Sequence, residues 1–122
     1  MQLPDNFCKQ ILELDKTIRF VGIADISTEL VMSEYREGVI PLLPGKESEM
    51  SLFQSVMRME SREGEEEKLG KTIYAFTVYE KVKRATIPLH DNYKLMISFD
   101  ISADHESIIS NILQICKKQG LK

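Results

Sequence analysis

Tryptophan is absent from this 122-residue chain, and cysteine and histidine occur only twice each. The length suffices to enclose a hydrophobic core without disulfides or a structural metal, so the two thiols are not needed as staples. A one-sided charge is missing too. Sixteen Lys and Arg stand against 19 Asp and Glu, leaving a formal charge of −3 with both signs interspersed. No broad basic field exists to neutralise a phosphate backbone, which argues against nucleic acid as a partner. No apolar run approaches the ~18 residues of a membrane span. The opening MQLPDNFCKQ also lacks the basic start and long apolar stretch of a secretory signal, so no membrane is expected as a partner and a cytoplasmic location is.

With 43% apolar and 29% charged residues, the chain is too hydrophobic for disorder, and residues 1–122 are expected to form a single α+β domain. Phe7, Ile11, Leu14 and Ile18 recur at helical spacing and predict an amphipathic helix from Asp5 to about Lys16. IRFVGIA, from Ile18, changes to apolar side chains on both faces and reads as a central strand. DISTE breaks the run, and LVMSEYR, from Leu30, reads as a second strand close enough to pair with the first as a hairpin. After the turn-rich PLLPGKES, Ser48 and Glu49 are suited to opening a second helix. There Met50, Phe53, Val56 and Met57 form one stripe, and Leu52 and Met59 widen it beyond what one sheet face needs. Adaptable core packing explains these methionines; a contact with another subunit is the alternative.

KTIYAFTVY, RATIPLH and YKLMISFD read as three strands of an antiparallel meander, with Pro88 confined to an unpaired, bulged or terminal position. Tyr93, Leu95, Ile97 and Phe99 alternate with Lys94, Met96, Ser98 and Asp100, as expected of a strand with one face on a core. Ile108, Ile109, Ile112, Leu113 and Cys116 make a closing helix capped near Ser102 or Asp104. The order αββαβββα implies one five-stranded antiparallel sheet flanked by helices.

GEEEKLGKT, from Gly64, ends like a phosphate-binding loop but places five residues, not four, between its glycines. It leaves a helix and enters a strand, the reverse of a phosphate loop, and its three glutamates oppose a polyphosphate. Gly64 or Gly70 is better read as a helix terminus. Asp100, Asp104, His105 and Glu106 can be drawn as ligands of a divalent ion, but carboxylates at a helix start serve its exposed N–H groups. No Ser or Cys nucleophile accompanies either histidine at a diagnostic spacing, so the expectation is no enzyme, no cofactor and no metal. Lys81, Lys83 and Arg84, in YEKVKR, form a small basic cluster on a hairpin, either solvated or in contact with an acidic partner or a phosphate. Cys8 and Cys116 read as buried free thiols, the alternative being a disulfide or thiol switch between the terminal helices.

The segments IRFVGIAD, LFQSVMRME, LGKTIYAFTVYEKVKRATIPL and MISFDISADHESII resemble an uncharacterised family of short archaeal proteins across nearly the whole chain. That resemblance implies no activity and no site residues. The element order is similar to the roadblock and dynein-light-chain fold, a profilin-like arrangement. This second resemblance implies protein interaction: homodimers, or heterodimers that scaffold and regulate small GTPases. Dimerisation through the second helix and the following edge strand would involve Leu52, Val56, Met59, Tyr74 and Phe76. The expected function is a non-enzymatic protein-interaction or regulatory module, homodimeric, with a small GTPase as one possible partner. The alternative is a small-molecule sensor holding its ligand among Phe20, Phe76, Tyr93 and the helices.

Overall fold

The apolar repeat beginning at Phe7 forms α1 (Phe7–Leu12), shorter than the expected span to Lys16. Tertiary contacts end it. Arg36 donates to the carbonyls of Leu12 (2.5 Å), Asp15 (2.7 Å) and Ile18 (2.7 Å), so carbonyls at the helix exit bond to a guanidinium instead of to a further turn. Asp15 accepts from the backbone and hydroxyl of Thr17, a local turn that competes with helix. Residues 2–122 are described in this computed structural model.

Strands β1 (Ile18–Ala24) and β2 (Leu30–Tyr35) form the expected hairpin. Asp25 Oδ1 gathers Ser27 N, Ser27 Oγ and Glu29 N in the turn. Helix α2 (Gly45–Ser61) starts three residues before Ser48. Gly45 has φ 55°, a left-handed conformation natural to glycine, and turns the chain out of Pro44 directly into the helix. The acidic segment holds a 3-10 turn at Glu63–Glu65 and a short helix α3 (Glu66–Leu69), an addition to the expected order. Of the two glycines, Gly70 (φ 92°) ends the helix, and Glu66 accepts a bond from Thr72 N at 2.8 Å. The glycine–lysine–threonine sequence is therefore a helix exit.

Strand β3 (Ala75–Val78) begins four residues later than Lys71, followed by β4 (Val82–Pro88), β5 (Lys94–Asp100) and α4 (His105–Lys118). Pro88 closes β4, where its missing N–H interrupts no interior ladder. Asp104 precedes α4 as expected, but its side chain makes no capping hydrogen bond. The sheet order is β2-β1-β5-β4-β3, antiparallel at every pairing. The connection through α2 carries the chain from one sheet edge to the other.

One face of the sheet packs Val21, Ile23, Ala85, Ile87, Leu95, Ile97 and Phe99 against Phe7 and Ile11 of α1 and Ile109 and Ile112 of α4. The other face of β5 is buried as well: Met96 is 9% exposed and Lys94 3%. The expected core face is present, and the second face is covered in addition at Lys94 and Met96, while Ser98 and Asp100 are half-buried. Alternation alone does not show that α2 covers the second face, because a lysine at such a position ordinarily points to water.

Cys8 and Cys116 are free thiols in the same core cluster, and burial pushes both up to about 11 from an ordinary 9.0. The thiolate fraction at pH 8 then falls by about a hundredfold relative to an unperturbed thiol. Alkylation of the native protein at pH 8, followed by mass spectrometry, should be at least that much slower than alkylation of the urea-unfolded chain. Rapid labelling of either residue would contradict this burial.

Candidate functional site

Helix α2 is 17 residues long, and its seating decides what the second sheet face offers. Ser55, Val56 and Met59 are buried beneath it. Met50, Phe53 and Met57, three of the four residues expected to form its core stripe, are 55%, 46% and 40% exposed. The helix is thus rotated from the orientation that its apolar content favours. On one flank Glu60 receives a hydrogen bond from Lys94 Nζ, and Lys94 also donates to Asn92 O at 3.3 Å. On the other flank Arg84 Nη1 donates to Ser51 Oγ at 2.5 Å. These polar ties span the helix and hold its rotation against the apolar preference.

The Lys94 bond holds the Glu60 carboxyl below the usual carboxylate range, while hydrogen bonding and charge from Glu60 raise that of Glu63. Since Lys94 is almost completely buried, the ion pair satisfies an ammonium that water does not reach.

Between α2 and the β3–β4 hairpin lies a notch of about 30 Å³ lined by Ser55, Arg58, Arg62, Thr77, Tyr79 and Arg84, among others. Arg58 donates to Ser55 Oγ and Arg62 to the carbonyl of Arg58. The Arg84 guanidinium lies 5.7 Å from the Tyr79 ring centroid. Among the described residues none of these three arginines forms a salt bridge. Sequence reading missed Arg58 and Arg62. The signal was their recurrence with Glu47, Ser51 and Gln54 along one helical stripe.

Beside the notch, β3 is the last strand of its sheet. Ile73, Tyr74, Val78 and Tyr79 on or around it are 60%, 37%, 58% and 44% exposed. A second, wider groove of about 340 Å³ adjoins it, lined by residues including Leu69, Tyr74 and Phe76.

The expected interaction residues divide among these surroundings. Val56 and Met59 are in the interior, 0% and 4% exposed, and Leu52 is half-buried. Tyr74 and Phe76 line the wider groove, and Phe76 stacks on the ring of His105 with centroids 4.0 Å apart. Lys81 is exposed in the hairpin turn. Lys83 and Arg84 do not act together, because neighbours on a strand point to opposite faces. Lys83 Nζ donates to Ala103 O at 2.8 Å and lies 3.1 Å from His105 Nδ1, whereas Arg84 enters the notch.

The proposed sensor residues are not brought together. Phe20 packs on Tyr35, with ring centroids 4.6 Å apart, while Phe76 and Tyr93 lie against the core on the opposite face of the sheet. Asp100 pairs with Arg19 at 3.2 Å, leaving His105 to its contacts with Lys83 and Phe76. Among the described residues no three His, Cys, Asp or Glu side chains are grouped to hold a metal ion, and no helix is long and apolar enough to cross a membrane.

The chain matches no protein-family model, and a search of curated proteins finds no relative. Solved structures do resemble it. The gliding protein MglB from Thermus thermophilus has a TM-score of 0.70 at 9% identity, covering 85% of this chain and 76% of its own. A roadblock domain from Streptomyces avermitilis also has a TM-score of 0.70, at 6% identity, covering 97% of this chain and 98% of its own. A structure of MglB with tetrameric arrangement has a TM-score of 0.68 at 10% identity, covering 93% and 87%. The likeness is one of fold: the α+β, five-stranded antiparallel roadblock arrangement.

Replacing Glu60 with Gln removes the counter-charge of buried Lys94 and should lower stability at pH 7 by about 2 kcal/mol. The Glu60 carboxyl is depressed in the folded state, so its contribution is present above the ordinary carboxylate range and is lost as pH falls through the lowered value. Urea unfolding at pH 7 and pH 3 checks this: the wild-type advantage over E60Q should shrink at the lower pH.

Proposed function

We propose that the chain is a non-enzymatic protein-interaction module acting as a homodimer in the cytoplasm, one domain per copy. The observation that carries this reading is the β3 edge, with exposed Ile73, Tyr74, Val78 and Tyr79 on and around it. An apolar edge strand left open to water invites uncontrolled pairing, and covering it with a second copy removes that liability. Leu52, Tyr74, Phe76 and Lys81 belong to or border this contact region. Val56 and Met59 act indirectly, by seating α2 at the angle the contact needs.

Pairing there leaves the exposed Met50, Phe53 and Met57 of α2 as an apolar patch for a further partner protein. The roadblock fold supports a regulatory scaffold, with a small GTPase as the favoured class of partner, and the neighbour in a tetrameric arrangement supports self-association. The segments quoted from the sequence support grouping the chain with short archaeal proteins.

Light scattering across micromolar concentrations tests the dimer. The expected mass is twice 14.0 kDa. Val78→Lys, at an exposed position on the edge strand, should weaken the dimer about tenfold or more through an unpaired charge, while the circular dichroism of the fold is unchanged. Only monomer at tens of micromolar would refute the homodimer.

A further inference from the structure

The notch between α2 and the β3–β4 hairpin is lined by three arginines, Arg58, Arg62 and Arg84, and by no Asp or Glu among the described residues. Their hydrogen bonds go to hydroxyl and carbonyl oxygens, and among the described residues none of the three is in a salt bridge, although Arg62 shares the adjoining groove with Glu65 and Glu66. Ser55, Thr77, Tyr79 and Thr86 add hydroxyl groups to the lining. This is the chemistry of an oxyanion receptor, because guanidinium forks match planar carboxylates. A volume of about 30 Å³ holds two or three water-sized groups, roughly the two oxygens of one carboxylate, and excludes a polyphosphate.

The same flank of α2 carries the complementary charge at its other end. Glu47, Ser51, Gln54, Arg58 and Arg62 follow one another by four, three, four and four residues, so they lie on one helical stripe. Glu47 is exposed, in the first turn. Fifteen residues separate it from Arg62, a rise of about 22 Å. In a two-fold dimer each contact occurs twice, and a helix facing its own copy across a perpendicular axis runs antiparallel to it. With that axis between Gln54 and Ser55, Glu47 lies opposite Arg62 and Ser51 opposite Arg58. The stripe is therefore self-complementary in charge, and it flanks the notch on the side of the open β3 edge.

We infer that the arginine notch is the receptor for the Glu47 carboxylate of a second copy of this chain, so that each dimer carries two such contacts, which set the register of the paired α2 helices. The inference rests on the homodimer reading and goes further in naming the chemistry that selects the partner. An acidic side chain from elsewhere is the competing occupant.

Two charge-reversed chains decide it: E47R, and the double variant R58E/R62E. Each alone should place like charges at both contacts and raise the dimer dissociation constant about tenfold or more. Mixed in equal amounts, they restore opposite charges at both contacts. The mixture should recover a dimer near wild-type strength, which also shows that both variants are folded. Sedimentation at low and high salt should show the wild-type dimer weakening as salt rises. If the wild type dimerises and either variant matches it, the notch is not the receptor and the homodimer stands. If both variants are weakened but the mixture stays monomeric, the pairing is overturned. A wild type that is monomeric throughout overturns this inference and the homodimer together.

Discussion

Burial of β5 on both faces is the constraint on which the rest of this structure depends. β5 is the centre of the sheet, paired with β1 on one side and β4 on the other, and water reaches little of either surface between Lys94 and Ile97. Leu95, Ile97 and Phe99 supply an apolar face that α1 and α4 complete. The opposite face presents Lys94 and Met96, which require a cover able to neutralise an ammonium as well as exclude water. Helix α2 supplies both, through Glu60 on its flank and Val56 and Met59 beneath.

That requirement shapes what α2 presents outward. Turning Glu60 toward Lys94 and Ser51 toward Arg84 rotates the helix so that Met50, Phe53 and Met57 face water, although an oil-like core would bury them. It also brings Arg58 and Arg62 over the β3–β4 hairpin, beside Arg84. Exposed methionines on one side and, on the other, arginines that form no salt bridge among the described residues are two consequences of a single docking angle. A helix satisfied entirely by its own sheet would offer a partner neither feature.

The alternating and helical repeats were legible because they are local. The strand at Ile18, the hairpin to Leu30 and the closing helix after Asp104 appear where the residues place them, and the meander ending in Asp100 does so apart from the later start of β3. Several departures share one cause: a contact with something distant in the chain. α1 ends early because Arg36 takes its carbonyls, and Lys94 goes inward because Glu60 meets it. The basic cluster separates because Lys83 and Arg84, adjacent in sequence, belong to opposite faces of a strand. The rejection of a phosphate loop rested on the reversed order of helix and strand, which is also local and which the Gly70 helix exit reproduces.

By itself the sequence determined the types and order of nearly all the elements, and with them the α+β sheet arrangement. Periods of two and about 3.6 residues are written into neighbouring side chains and need no knowledge of the rest of the chain. Only the tertiary structure decided which face of α2 meets the sheet, and therefore that Val56 and Met59 are interior while Arg58, Arg62 and Arg84 converge. The physical reason is that the rotation favoured by the apolar residues of α2 competes with polar contacts to distant strands, which its own sequence does not show. Its angle was selected by an ion pair and a hydrogen bond to strands more than thirty residues away.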